Sequence, residues 1–452
     1  MDTADRSTPM TAPTTSYHLR PGSGWLNDPN GMVLLNGVWH VFFQHNPTAP
    51  VHEQIVWGHA TSQDLADWDL QPVAFSPSPG APDAFGCWSG VFVPGHDRPA
   101  VAYSGIADDS LQSTICLRWG SPDLRDWGAP VVVGHTPEAD GVAVMRDPFV
   151  LEHAGRRLAV LGAGMGDGTP AVLMFDRGNE LSWRYNGVLV ADDPVLRAVV
   201  GKADIWECPQ LFPLGGRWVL IVSLQVSGVL GTVAAAVGDL VEKGGSWRFV
   251  VRSAQVVDGG SSLYAPQVVV AGSQHGIDQG GGGPVVAPDG QAPPLCDNGE
   301  PLLIGWVRQG HQDPEVRDHA GCLSLPRRLR LVDGVVTSRV DPGAARALAP
   351  GLPRCLPAGE VGLGERRWVV DVVGGAAAET VGEAAGKGTL LCHPELGTYE
   401  LVPGDQVWVD GAVVELYRVS GLPFTWRHDE PWTLLVPSEG AAEVRDVVPR
   451  VP

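Results

Sequence analysis

The sequence predicts an all-β protein, a five-bladed β-propeller followed by a C-terminal β-sandwich, and three observations carry that reading. The first is composition: 58 Gly, 39 Pro and 16 Trp in 452 residues, with 44% hydrophobic and 18% charged residues, describe many turns between short strands. The second is a repeat. Ser62-Gln63-Asp64-Leu65-Ala66-Asp67-Trp68 is echoed by Ser121-Pro122-Asp123-Leu124-Arg125-Asp126-Trp127, and weaker echoes end at Trp183 and Trp247, so four tryptophans follow one another at 59, 56 and 64 residues. The third is the filling of each interval with short apolar runs, such as Val38 to Phe43, Ala100 to Tyr103, Leu158 to Leu161 and Trp218 to Val222. A period of this length fits one four-stranded blade per repeat.

Taken in order, residues 1–17 are rich in Ser, Thr and Pro and form a flexible leader with no apolar core segment, so no secretory signal is expected. Residues 18–331 hold the propeller, its fifth unit running from about Asp258 to Leu331 and interrupted at 271–300 by a Gly- and Pro-rich insertion with the composition of a mobile loop. Residues 332–452 change to Val-rich short strands, such as Trp368 to Val373 and Ala412 to Tyr417, and are assigned to the sandwich.

A formal charge of −20 without clustered Lys or Arg excludes nucleic acid and anionic membrane surfaces as partners and leaves a small neutral ligand. No stretch is long enough to span a bilayer. Cysteines at 87, 116, 208, 296, 322, 355 and 392 form no CxxC pair, which argues against a structural zinc site and a disulfide framework, and the expected location is the cytoplasm.

Three acidic residues stand in unusual settings: Asp28 in Trp25-Leu26-Asn27-Asp28-Pro29-Asn30-Gly31, Asp147 in Arg146-Asp147-Pro148, and Glu207 in Trp206-Glu207-Cys208-Pro209. They precede Trp68, Trp183 and Trp247 by 40, 36 and 40 residues, so they should occupy equivalent places in their blades and converge on one funnel. Three converging carboxylates suit either a divalent cation or the cleavage of an acetal. The DxDxDG-like loop of many calcium sites and the phosphate cradle that accompanies magnesium are both missing, so no metal and no cofactor is expected. Acetal cleavage needs an ionised nucleophile, a protonated acid and negative charge near a cationic transition state. Asp28, in a turn whose amides can hold it ionised, is the expected nucleophile. Glu207, crowded by two other carboxylates and flanked by Trp and Pro, suits the general acid that later acts as base. Asp147 is the hydrogen-bond partner for sugar hydroxyls.

These motifs, in this order, resemble glycoside hydrolase family 32, the invertase and fructan hydrolase family. The likeness extends through His40 to Gln44, Trp57-Gly58-His59-Ala60, Gly86 to Gly90, Asp258 with Tyr264-Ala265, Gly305-Trp306, Leu325-Pro326-Arg327, and Asp410-Gly411 with Val414-Glu415. The resemblance implies a retaining attack on a β-linked fructofuranosyl unit of sucrose or short fructo-oligosaccharides, with Asp28 as nucleophile, Glu207 as acid/base and Asp147 as transition-state stabiliser. It further implies that Asn27, Gln44, Trp57, Trp88, Ser89, Arg146 and Asp258 bind the substrate. Three positions depart from the family pattern: His52, followed by Glu53, where a tryptophan is usual; Ser262 for an aspartate; and His319 for another tryptophan. They make the leaving group, rather than the chemistry, the open variable. Transfer of fructosyl to an acceptor sugar, and a catalytically silent sugar-binding propeller, are the alternative readings.

Overall fold

A computed structural model describes residues 17–270, 299–364, 366–374, 388–438 and 440–448. The leader, apart from Tyr17, and the insertion at 271–300, apart from its last two residues, lie outside the described residues. Within them the chain is nearly all-β in class, as the sequence predicts, and its curled sheets fit a propeller. Two short α-helices interrupt it, Pro194–Val200 and Pro342–Leu348. Each starts at a proline behind an aspartate, Asp193 or Asp341, whose carboxylate accepts first-turn backbone N–H groups. No helix among the described residues is long and apolar enough to cross a membrane.

The first twenty or so strands are organised as five consecutive antiparallel meanders of four. Meander I comprises Gly24–Leu35, Val38–Asn46, Val56–Ser62 and Asp69–Phe75. Meander II comprises Gly86–Phe92, Ala100–Ile106, Ser113–Trp119 and Val131–His135. Meander III comprises Val142–His153, Arg156–Met165, Pro170–Asn179 and Ser182–Ala191, and meander IV comprises Ile205–Leu214, Arg217–Val226, Val229–Lys243 and Ser246–Val256. A bridge between Ala163 and Trp206 joins III and IV into one sheet, and Gly162 permits it, since a Cβ there would stand 2.2 Å from the Trp206 carbonyl oxygen. Meander V comprises Leu263–Val269, Leu302–Val307, Arg327–Val332 and Val335–Val340. The first strands of I to V touch one another in chain order, and the first strand of V touches that of I. His319–Ala320, downstream of the second strand of V, adds a parallel edge to the first strand of I.

The repeated Ser-x-Asp-Leu sequence has a local cause. It builds the turn between the third and fourth strands of a meander. Ser62 Oγ accepts the Leu65 N–H and Asp64 Oδ1 accepts those of Ala66 and Asp67, which holds Leu65 at φ 63° with its side chain buried. The second copy uses the same two side chains on a shifted set of N–H groups: Ser121 Oγ accepts from Arg125 and Asp126, Asp123 Oδ1 accepts from Arg125, and Leu124 sits at φ 59°. A leucine in left-handed backbone costs about 1–2 kcal/mol, which the side-chain hydrogen bonds and burial offset.

The sequence boundary at 331 needs a correction. Val335–Val340 pairs with Arg327–Val332 across an Asp333-Gly334 turn at φ 51° and 80°, so it completes meander V rather than opening the C-terminal region. That region forms a six-stranded and a four-stranded sheet with a shared apolar core containing Trp368, Leu391, Val407, Trp426 and Trp432. Val369 and Trp408, on the opposite face of the six-stranded sheet, join the core of meanders I, IV and V. Both faces are therefore covered, which explains runs such as Val407-Trp408-Val409.

The seam between the two regions is ionic. Arg327 donates to Asp258 Oδ2 at 2.8 Å and to Glu415 Oε2 at 2.7 Å; His18 bridges Asp410 and Glu415, each at 2.9 Å, and Tyr417 donates to Glu415. All of these side chains are buried. Against burial, which lowers it, the hydrogen bonds that His18 donates to Asp410 and Glu415, and the charge of both, lift the His18 pKa to about 9, while Arg327 and His18 hold Glu415 down near 2.

A raised histidine pKa contributes stability that is whole below the ordinary value of about 6.5 and is lost as pH climbs to about 9. The contribution of His18 is on the order of 3 kcal/mol. The melting temperature is therefore expected to fall between pH 6.5 and 9.5, and His18→Gln to flatten that segment of the curve, as followed by circular dichroism.

Candidate active site

The first strand of every meander carries one extra residue at the same place in its ladder. In I, Asn27 and Asp28 together oppose Gln44; in II, Trp88 and Ser89 oppose Ser104; in III, Asp147 and Pro148 oppose Leu161. In IV the pair is Cys208 and Pro209, and in V it is Ala265 and Pro266. Such a bulge breaks the ladder, turns a side chain out of the sheet and frees a backbone N–H. In III, IV and V the first bulge residue is non-glycine at positive φ (Asp147 60°, Cys208 47°, Ala265 43°) and proline follows, where its missing N–H costs no ladder bond. The freed N–H groups bond to side chains of the preceding meander: Asp147 to Ser104 Oγ at 2.8 Å, Cys208 to Asp147 Oδ2 at 3.0 Å, Ala265 to Ser223 Oγ at 3.1 Å.

The three predicted carboxylates meet at these bulges and line one cavity of about 430 Å³. Their places are not equivalent, contrary to the phase read from the tryptophans. Asp28 is the second bulge residue, Asp147 the first, and Glu207 the last paired residue before the bulge. Loops of different length between first and fourth strands absorb the difference, so distance to a tryptophan does not measure ladder register. At Glu207's own level stand Arg146 of III and Tyr264 of V. The Tyr264 hydroxyl donates to Glu207 Oε2 at 2.6 Å, Gln225 donates to the same oxygen at 3.2 Å, and Arg146 Nε lies 3.3 Å from Oε1, an ion pair without hydrogen-bond alignment.

Asp28 accepts from Asn27 Nδ2 at 2.9 Å on one oxygen and from Ser89 Oγ at 2.5 Å on the other. Cys208 Sγ lies 3.5 Å from both Asp28 Oδ2 and Asp147 Oδ2, so a single buried thiol separates two acids. Burial dominates the electrostatics. It raises the Asp28 pKa to about 6, with a further push from Glu207, against the hydrogen bonds of Ser89 and Asn27. Burial, followed by repulsion from Glu207, also raises Asp147. The local amide that the sequence reading relied on is there, but burial outweighs it, so the Asp28 pKa stands above its ordinary value, at about 6, and the carboxyl is ionised above that pH.

Of the predicted binding residues, Asn27, Gln44, Trp88, Ser89 and Arg146 line the cavity, with the Arg146 guanidinium 5.6 Å over the Trp88 ring. Trp57 does not. It is fully buried, stacks on Phe75, and donates its indole N–H to the Trp88 carbonyl at 3.1 Å, supporting the wall from behind. Asp258 is also away from the cavity, held by Arg327, the Thr425 hydroxyl and the backbone N–H groups of Gly260 and Thr425 in the ionic seam. Ser262 and His319 are buried outside the lining as well, which leaves His52 as the one departure position that faces the cavity.

Tyr264, Gln225, Trp25, Trp306, Arg308 and His311 also line it and were not assigned to the site from the sequence. Trp25, Tyr264 and Trp306 were within reach, because each stands in a motif already singled out and Tyr264-Ala265-Pro266 matches Glu207-Cys208-Pro209 in pattern; Gln225, Arg308 and His311 come from strands and loops with no motif. A second cavity of about 480 Å³, lined by Met32, Val91, Phe149 and Val268 among others, opens farther along the same first strands and contains none of the predicted residues. No group of three or more His, Cys, Asp or Glu side chains able to hold a metal ion occurs among the described residues.

The family description "Glycosyl hydrolases family 32 N-terminal domain" matches residues 18–339, and the chain belongs to that family. The sucrose-6-phosphate hydrolase of Zymomonas mobilis is 31% identical over 337 residues, 71% of this chain and 60% of that protein. The fructan 6-exohydrolase of Beta vulgaris is 32% identical over 241 residues, 50% of this chain and 37% of that one. The matched region thus spans less than two thirds of each of these relatives. Among solved structures, the β-fructofuranosidase of Bombyx mori superposes with a TM-score of 0.73 at 22% identity, over 97% of this chain and 95% of the other. The fructan 1-exohydrolase IIa of Cichorium intybus gives 0.72 at 18% identity, over 97% and 98%. At these identities the superpositions establish the fold.

A carboxyl whose pKa is raised to about 6 on folding destabilises the protein fully above that pH and not at all below the ordinary value near 4. Asp28→Asn is therefore expected to raise stability at pH 8 by at most about 3 kcal/mol, since the group opens on a cavity, and to leave it unchanged at pH 3.5. Urea denaturation at the two pH values measures the difference.

Proposed function

We propose that this chain hydrolyses β-fructofuranosides with retention of configuration, taking sucrose or a short fructo-oligosaccharide as substrate. The observation that carries the proposal is the convergence of Asp28, Asp147 and Glu207 from three successive meanders on one cavity, with Cys208 packed between the two aspartates. Relatives support it in name: sucrose-6-phosphate hydrolase and fructan 6-exohydrolase among the sequences, and a variant of the Bombyx mori enzyme in complex with sucrose among the structures. The architecture is read as a five-bladed propeller ending at Val340, with a C-terminal sandwich packed against its fifth blade.

In this reading Asp28 attacks the anomeric carbon of the fructosyl unit while Glu207 gives its proton to the departing oxygen, and a fructosyl ester forms on Asp28. Water, deprotonated by Glu207, then attacks the same carbon and releases fructose with Asp28 regenerated. Asp147 binds sugar hydroxyls and opposes the positive charge that develops on the ring. Asn27 and Ser89 fix both oxygens of Asp28, so attack requires no rearrangement of the nucleophile. Tyr264 and Gln225 on one oxygen of Glu207 and Arg146 beside the other hold the acid in line. The substrate is a small carbohydrate, in keeping with a cavity of about 430 Å³.

Sugar chromatography after incubation with sucrose, kestose, inulin and levan tests the proposal. Fructose release from at least one is expected; release from none refutes it, and longer oligosaccharides in place of fructose would make the acceptor a sugar instead of water. Asp28→Ala is expected to lower kcat by roughly 10⁴-fold or more. Glu207→Ala should lose roughly 10²–10⁴-fold on sucrose and far less on a fructoside whose leaving group needs no proton. Because Asp28 must be ionised and its pKa is about 6, kcat/KM is expected to fall as pH drops through 6.

A further inference from the structure

His52 stands at the cavity wall, and its imidazole is the far end of a continuous hydrogen-bonded chain that finishes on Asp28. His52 Nε2 lies 3.3 Å from Gln44 Oε1; Gln44 Nε2 bonds to Ser89 Oγ; Ser89 Oγ bonds to Asp28 Oδ2 at 2.5 Å. The direction of this chain is set from the carboxylate end. Ionised Asp28 has only acceptors, so the single Ser89 proton must point at it. Ser89 Oγ must then accept, which requires the NH₂ side of the Gln44 amide. The Gln44 oxygen is thereby turned to His52 and needs a donor there, so the neutral imidazole must carry its proton on Nε2.

The other oxygen of Asp28 is served by a parallel chain. Trp25 Nε1 donates to Asn27 Oδ1 at 2.7 Å, and Asn27 Nδ2 donates to Asp28 Oδ1 at 2.9 Å. An indole N–H can only donate, so Trp25 locks the Asn27 amide with its NH₂ side toward the carboxylate. Both oxygens of Asp28 thus receive a hydrogen bond from a residue whose orientation is set by an aromatic ring farther out, Trp25 one step beyond Asn27 and His52 two steps beyond Ser89. His52 is itself held: its backbone N–H donates to His311 Nε2 at 3.1 Å, and its ring stands edge-on to Trp25 and Trp88.

We propose that His52 is a positioning residue for the nucleophile: its Nε2–H locks the Gln44 amide so that the Ser89 proton is committed to Asp28. This rests on the reading of Asp28 as nucleophile, and it goes beyond that reading in giving a residue of the cavity wall a task at the reacting carboxylate. An apolar ring at position 52 leaves the Gln44 oxygen without its donor, and the amide then gains by turning that oxygen to Ser89, where it takes the proton from Asp28. The pKa of His52, lowered to about 4 by burial and by the charges of His311 and Arg146, keeps the ring neutral in the range where Asp28 titrates. The charged and titratable groups around Asp28 are Glu207, Asp147, Cys208, Arg146 and Tyr264, and none of them changes in a His52 variant.

The test compares wild type, His52→Phe and His52→Gln, the last retaining a side-chain N–H donor. The Asp28 carboxyl is titrated by ¹³C NMR, assigned from its loss in Asp28→Asn. In His52→Phe the titration is expected to move up by about half to one pH unit, with the acid limb of kcat/KM moving by the same amount and kcat falling more than KM changes. His52→Gln should restore most of both. An unmoved titration in His52→Phe together with a higher KM overturns the proposal and leaves His52 as a contact to the leaving group only. So does a wild-type ¹⁵N spectrum with the His52 proton on Nδ1, a measurement that does not depend on how any variant folds. Absence of turnover in wild type with the carboxyl titration still displaced in His52→Phe would refute the hydrolase reading and leave this one standing.

Discussion

One backbone irregularity, the bulge in the first strand of each meander, is the constraint on which the site depends. A regular antiparallel ladder spends its N–H groups on its neighbour and alternates its side chains strictly between two faces. Two residues against one breaks both rules at once. The side chains of Asp28, Ser89, Asp147 and Cys208 thereby leave their own sheets, and the released N–H groups of Asp147, Cys208 and Ala265 are taken up by Ser104, Asp147 and Ser223 of the meander before. The same feature that gathers the acids therefore also joins adjacent sheets. Pro148, Pro209 and Pro266 fit there because the ladder bond they lack is already broken.

Gathering three carboxyls in a buried space has an electrostatic consequence. Asp28 and Asp147 are both raised, first by burial and then by Glu207, even though Asp28 keeps a hydrogen bond on each oxygen. The ionised state of Asp28 is thus disfavoured in the folded protein. Hydrogen bonds lower that disadvantage only while their donors are aimed. The chains from Trp25 and from His52 are two solutions to the aiming problem, one through an indole that never changes its donor and one through an imidazole whose tautomer matters.

Stability and reactivity are kept apart. The buried ionic seam of His18, Asp258, Arg327, Asp410 and Glu415 has balanced partners at hydrogen-bond distance, and its carboxylates Asp410 and Glu415 are held below their ordinary values. Asp28 and Asp147 in the cavity, buried without a paired cation, move the other way. Arg146 is the cation closest at hand there, and it meets Glu207 without hydrogen-bond alignment. Burial is common to both sites; the supply of paired donors decides the sign.

The all-β character, the repeat, and the three acids with Asn27, Gln44, Trp88, Ser89 and Arg146 were legible in the sequence, because strand composition, turn chemistry and short motifs are local properties. The Ser-x-Asp-Leu turn is the clearest instance, since the hydrogen bonds that make it recur lie within six residues. Trp57 and Asp258 were placed in the cavity by motif and stand behind it, because a motif does not record which face of a strand its side chain takes. The equal phase assigned to Asp28, Asp147 and Glu207 failed for a related reason: ladder register counts hydrogen-bonded pairs, and residue number also counts loops. Gln225, Arg308 and His311 became site residues only when separate meanders closed on one another. The sequence by itself determined which chemical groups are present and which turns present them. The tertiary structure alone decided which acids are buried together, which donors reach them, and what His52 faces, because burial and hydrogen-bond partnership are properties of groups brought together from distant parts of the chain.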